Sequence, residues 1–315
     1  MTAIKISKLA PVLWSTLIFI VAEAITFVAA LRINPFLKES QIYVPPQPPN
    51  SIPILPQPVP TPPPGETPAP PVNSLGPIIL YFLGVILVLS LLLFLVPVKA
   101  LRMLLRILFA VLFSWGIFVL FFLWFPVTVA LPVAAVVGVL WFSLARVWMH
   151  NLVMILALVA LGAVFGRLIS PWTSMILIAL LAIYDFVSVR FGFMMWMTKK
   201  LTESSTLPAF IIPQRLSEFN ASLKEKAFSS LSSEASFERR FSILGGGDIG
   251  FPLLLTASTY FGYGLYAAIA VAGLALAGLL VAYAIQMVFL KGKPMPALPP
   301  IAVLCLIALL IIRFA

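Results

Sequence analysis

Apolar residues run through this chain in long blocks: Leu9–Leu31, Leu75–Val98, Ile107–Phe125, Val127–Ala145, Asn151–Ile169, Trp172–Val189, Ile243–Phe261, Leu265–Leu290 and Pro296–Ile312. A helix needs about 20 apolar residues to cross a bilayer, so each block reads as one span. Two divisions rest on turn chemistry. As a single helix Ile107–Ala145 would be about 58 Å long, nearly twice the hydrocarbon thickness, and Pro126 in "LWFPVTV" is its natural break. Ile243–Leu290 is also too long for one span, and Gly262 and Gly264 mark the turn. The pattern predicts an all-α polytopic membrane protein of nine helices.

Two polar stretches interrupt the blocks. The first, "YVPPQPPNSIPILPQPVPTPPPGETPAPPV", reads as a polyproline-like spacer without a packed fold, with a role as a PxxP ligand as the lesser alternative. The second, Lys199–Arg240, is mixed in charge. Within it "LPAFIIPQR" holds a strand-like run between Pro208 and Pro213, and "LSEFNASLKEKAFSSL" suggests an amphipathic helix on the membrane surface. The resulting organisation is a first span (1–32), a Pro-rich linker (33–74), four spans (75–170), a sixth (171–198), a polar loop (199–241) and three final spans (242–315).

Charge then orients the chain. With the N-terminus in the cytoplasm, all but four of the 20 Lys and Arg residues lie on the cytoplasmic side. Arg32, Lys38, Arg167 and Arg313 remain outside. That bias follows the positive-inside rule and places the C-terminus outside. The Asn220-Ala221-Ser222 sequon then faces the wrong compartment for glycosylation.

Composition agrees: 62% of residues are hydrophobic and 10% charged, against about a quarter charged in a soluble domain. The net charge of +10 reflects the loops and needs no nucleic acid. Lys5, Lys8 and Ala22-Glu23-Ala24 resemble a signal peptide, but the apolar run continues to Leu31, which favours an uncleaved helix. The single cysteine, Cys305, excludes an internal disulfide and reads as packed or lipid-facing. His150, the sole histidine, falls at a cytoplasmic helix end and reads as interfacial. It cannot by itself build a Ser/His or multi-His metal site.

Three carboxylates fall inside the spans: Glu23, Asp185 and Asp248. Such groups face cavities or one another. Asp248 is eight residues past Arg240, about 12 Å if helical, and Asp185 is five residues before Arg190, about 8 Å. The two are level if the sixth helix ends near Arg190, where Gly192 offers a stop and "FMMWM" can lie along the interface. Two adjacent carboxylates share a proton and titrate as a unit, which is the aspartic-protease arrangement. Gly245, Gly246 and Gly247 remove side chains beside Asp248, allowing backbone to approach and water to enter. Close helix packing would account for the glycines equally well without the carboxylate. For Glu23 three readings stand: lining a lateral path, pairing with a distant basic residue, or lying protonated against lipid.

Tyr184-Asp185, Gly245-Gly246-Gly247-Asp248 and Pro296-Ala297-Leu298, in this order on nine spans, resemble the YD, GxGD and PAL motifs of the presenilin and signal peptide peptidase family of intramembrane aspartyl proteases. The resemblance implies that Asp185 and Asp248 form a catalytic dyad. It further implies that Tyr184 supports Asp185 through its hydroxyl or by packing, and that the glycines and the PAL residues shape the active site. It implies no metal, no cofactor and no obligate accessory subunit. Substrates would be single-span membrane proteins or remnant signal peptides. Gly246 departs from the pattern, since a bulkier apolar residue is common at the x position.

The four prolines of "KGKPMPALPPIAV" suggest an unwound start to the ninth span, whose backbone would line the site. Ala209–Ile212 and the segment before Gly245 are candidates to take up an unwound substrate as an added β-strand. The rival functions are a proton or ion transporter or leak channel using the same Asp pair, and a prepilin-type peptidase. PAL and GxGD argue against the first, since neither is needed for ion relay, and the nine spans and PAL argue against the second.

Overall fold

Proline and glycine set the helix boundaries. The computed structural model describes residues 2–40, 97–144, 146–192, 208–213, 216–222, 241–290 and 295–314, with single positions between 80 and 95. Among these residues eight helices form: α1 (Thr2–Glu39), α2 (Val98–Phe122), α3 (Val127–Leu144), α4 (Val147–Leu168), α5 (Pro171–Arg190), α6 (Gly246–Tyr263), α7 (Leu265–Val288) and α8 (Leu298–Phe314). Six of them are long and apolar enough to cross a membrane, and α8 is a shorter apolar helix. Two short strands, β1 (Ala209–Pro213) and β2 (Phe241–Gly245), and a 3₁₀ turn (Leu216–Asn220) complete the description. The second predicted span and the Pro-rich linker lie almost wholly outside the described residues. The described positions within that span (Leu80, Gly84, Leu87, Val88, Leu91, Leu95) are helical.

Pro126 separates α2 from α3, and Gly264 separates α6 from α7 with φ at +90°. Gly262 stays helical, so the turn needs only the second glycine of the pair. Ser170 caps α5, its hydroxyl accepting the N–H of Thr173, and Pro171 follows where its missing N–H costs nothing.

Several boundaries differ from the apolar blocks. α2 begins at Val98, directly after Pro97, because Lys and Arg continue a helix as well as apolar residues do. α1 runs on to Glu39, where a two-bond ion pair with Arg32 spans two turns. Phe241–Gly245 is a strand, so the seventh span starts at Gly246 and the helical depth of 12 Å for Asp248 does not apply. Nor do residues 216–222 form an amphipathic helix. Their backbone is spent on the start of α4: the carbonyl of Ala221 accepts the N–H of Val147, and Asn220 accepts a bond from Arg146.

Side-chain contacts sort the helix ends into two groups. At one end Arg32 reaches the carbonyl of Leu123, Arg167 reaches Asn34, Trp172 reaches Tyr263, and Arg313 lies over the ring of Trp172. At the other, Arg106 reaches Phe142, Arg146 reaches Asn220, and Asp185 reaches Leu298. From α2 onward successive helices therefore alternate in direction, and α1 runs the same way as α2.

The core centres on α6, whose Ile249, Leu253, Leu255 and Ala257 are all but fully buried. It packs against α1, α4, α5 and α7. Small residues permit the closest approaches: a Cβ at Gly278 of α7 would stand 2.6 Å from the Cα of Ile301 in α8. The outer surface is apolar, with Val129, Leu131, Val136 and Val139 of α3 exposed. Such a surface suits lipid as its solvent. The chain is an integral, multi-pass membrane protein.

Candidate active site

Asp248 is the third residue of α6. Gly245 is the N-cap of that helix, and the Asp248 carboxylate accepts the Gly245 backbone N–H. This is the returning half of a capping box, in which an acid three residues into a helix reaches back to the cap. The helix dipole favours negative charge at that point as well. Local backbone physics therefore gives the carboxylate its place even before any chemistry is considered.

Asp185 lies five residues before the end of α5, half-buried. The helix stops at Arg190 and a turn follows, with Gly192 at φ +73°. The segment "FMMWM" beyond it lies outside the described residues. Asp185 comes close enough to Asp248 for its charge to act on that carboxylate. Leu298, the first residue of α8, gives its backbone N–H to the Asp185 carboxylate. Pro296 and Ala297 precede that helix in non-helical backbone.

The glycines differ in their tasks. Gly245 ends β2 and caps α6. Gly246 begins the helix and gives its N–H to the carbonyl of Pro208 at 3.1 Å. A Cβ there would meet the terminal methyl of Met154 and the Pro208 oxygen. Met154 thus fills the room that a larger residue at this position would take. Gly247 is exposed.

The profile of "Signal-peptide peptidase, presenilin aspartyl protease" matches residues 62–315. The chain belongs to this family. A solved structure described as "a presenilin family intramembrane aspartate protease" superposes with a TM-score of 0.57 at 18% identity. The match covers 96% of this chain and 99% of that one. The likeness extends the shared fold to nearly the whole chain. No curated protein matches the sequence.

Among the family-motif residues, Tyr184 lies within electrostatic range of Asp185. Its hydroxyl pairs with Ser188, one turn on along α5, and the side chain is partly exposed. The spacing of four makes this the natural partner on one helix face. Glu23 is not against lipid, and among the described residues it pairs with no base. It is buried between α1 and α6, where Thr256 donates to one carboxyl oxygen at 3.1 Å. The other oxygen has no partner among the described residues. Thr256 is eight residues beyond Asp248, about 12 Å along the helix, so Glu23 belongs to another level of the core. Cys305 is packed, fully buried in α8. Among the described residues no three His, Cys, Asp or Glu side chains converge as metal ligands.

Three residues at this end escaped sequence reasoning. Tyr283 of α7 lies within electrostatic range of Asp248, its hydroxyl bonded to Ser15 of α1. A tyrosine in an apolar block carries no signal of such a position. His150 is not interfacial but buried, with Nε2 at 3.0 Å from the carbonyl of Ala209. Beside it Asn151 donates to the carbonyl of Ile211 at 2.7 Å and accepts the Ile211 N–H at 3.0 Å. These pairs join α4 to β1.

The strands pair antiparallel with each other, Ile211 opposite Ile243. Since Ile211 directs both backbone groups to Asn151, this is a non-hydrogen-bonded position of the ladder. By the same alternation Ile243 directs its N–H and carbonyl to the edge of β2 away from β1. Among the described residues no third strand lies there.

Proposed function

We propose that the protein is an intramembrane aspartyl endopeptidase in which Asp185 and Asp248 activate water against a peptide bond inside a transmembrane segment. The observation that carries this reading is the convergence of the two carboxylates, from two helices that end at Arg190 and begin at Gly246, beside the backbone of Leu298.

The chemistry requires one carboxylate and one carboxylic acid. The carboxylate takes a proton from water as its oxygen attacks the scissile carbonyl carbon. The acid gives its proton to the carbonyl oxygen. Collapse of the tetrahedral diol breaks the C–N bond, and the amine leaves with a proton returned from the dyad. The bonds from Leu298 and Gly245 hold each carboxyl group in a fixed orientation, which is what proximity catalysis needs.

A helical substrate hides its carbonyls in its own hydrogen bonds, so it must unwind first. We infer that the unwound segment adds as a strand along β2, where the backbone groups of Ile243 face outward. β1 and β2 pair with one another, so each keeps a single outer edge. Strand addition at β2 lays the scissile region beside Asp248, which follows β2 by three residues. The irregular Pro296-Ala297 backbone would close the other side.

The complete molecule in this reading has nine spans, a sixth helix broken after Arg190, an unwound start to the ninth, and both termini as the charge bias sets them: N-terminus cytoplasmic, C-terminus outside. Substrates are single-span proteins or remnant signal peptides with an outside N-terminus, cut near their cytoplasmic end, without an obligate accessory subunit. Purified chain incubated with a generic single-span substrate tests the activity; ion flux without cleavage would refute it. Accessibility of tags placed near Ala221 tests the orientation, and an external loop would reverse the substrate preference.

A further inference from the structure

A two-stranded sheet has two edges, and an extended chain could add to either. Only one addition is productive. A strand beside β2 lies about 4.8 Å from it, whereas a strand beside β1 would lie about 10 Å from β2, the strand that runs directly into the helix of Asp248. Something must close the β1 edge.

We propose that Asn151 and His150 are positioning residues that occupy the outer edge of β1 as a surrogate strand, committing the substrate to β2 in a single register. The proposal rests on the aspartyl protease reading. The planar amide of Asn151 offers one donor and one acceptor, as a peptide group does, and it takes both backbone groups of Ile211. Two residues away, on the same edge, the carbonyl of Ala209 meets Nε2 of His150. Trp141 donates to Nδ1 of that ring at 3.3 Å, which leaves Nε2 to carry the proton and donate to Ala209. Ala209, Ile211, His150 and Asn151 are all buried, so water cannot replace these bonds.

The same contacts fix register. Strands of five residues are weakly specified on their own, and slippage moves every side chain. α4, which carries both pins, packs tightly on α6, with a Cβ at Gly162 set to stand 3.1 Å from that of Leu253. The sheet is thereby tied through α4 to the helix that holds Asp248. Without the pins the sheet can slide against the dyad, and the scissile bond moves with it.

The test uses the full chain in lipid discs with a single-span substrate. It reads kcat, KM and the cut position by mass spectrometry. Asn151→Leu, close in volume but without polar atoms, is expected to raise KM about fivefold or more. It should also spread cleavage to bonds two residues to either side, with kcat less affected. His150→Leu should shift cleavage the same way, and His150→Gln, which keeps a donor, should restore the native cut. If Asn151→Leu does not accumulate as a folded protein, Asn151→Ser carries the test, its hydroxyl being too short to span both groups. A folded variant that cuts only at the native bond with native KM overturns the proposal, as does a fall in kcat alone. Absence of cleavage by the native chain is distinguishable from both, because it removes the protease reading itself.

Discussion

Leu298 donates its backbone N–H to the carboxylate of Asp185, linking the start of the last helix to a carboxylate more than a hundred positions earlier in the chain. The donor is one of the N–H groups that a helix start leaves without an internal partner. Proline at the first helical position is tolerated because that N–H is dispensable to the helix. Leu298→Pro should therefore delete this bond while the helix still forms. A hydrogen bond to a charged group contributes about 1.5–3 kcal/mol, so kcat/KM should fall about tenfold to a hundredfold. Leu298→Ala keeps the N–H and should lose less activity, although it loses buried side-chain packing. Equal losses in the two variants would show that the bond does not matter.

Asp185→Asn and Asp248→Asn should each lower kcat by about a hundredfold to ten-thousandfold or more, the range of acid–base catalysis by a positioned group. Asp248 has a second role as the returning cap of α6. Asp248→Asn can still accept the Gly245 N–H, whereas Asp248→Ala cannot and should be less stable by about 1 kcal/mol. Thermal unfolding of the two variants measures this difference, and identical stabilities would exclude the capping role.

Gly246 and Met154 share one space. Gly246→Leu should be destabilised by about 1–3 kcal/mol through overpacking. Met154→Ala in the same chain should recover part of that loss, since it vacates the space the new side chain needs. The coupling is read from a double-mutant cycle of unfolding free energies, with simple additivity as the contrary result.

Gly264 carries φ +90° and ψ −177°, a region essentially confined to glycine. Gly264→Ala should destabilise the protein by about 1–3 kcal/mol, while the helical Gly262→Ala should not. The turn lies at the opposite end of α6 from Asp248, so KM should hold. A shift in KM would mean that the α6–α7 turn influences the substrate site.

Most of the helical framework could be read in advance because its causes are local. Pro126, Pro171 and Gly264 break or begin helices through their own backbone limits, and the apolar blocks between them have one stable form in lipid. The helix ends were harder. Arg32 and Glu39 extend α1 through an ion pair, and Phe241–Gly245 is extended because β1 is available to pair with it. The carboxylates, glycines and Leu298 were found because their motif order survives in a one-dimensional string. The hydroxyl bond of Tyr184 to Ser188 was not legible, because a motif marks which residues matter and not which partner on its own helix each one takes.

The sequence by itself determined that this is a multi-span membrane protein of the aspartyl protease family: the lengths of its apolar blocks and the spacing of three short motifs are properties of the chain alone. Only the tertiary structure decided how β1 is held. A histidine that looked interfacial and an unremarked asparagine became the partners of a strand some sixty residues away, because buried backbone groups must find hydrogen bonds and the nearest polar side chains lay on another helix.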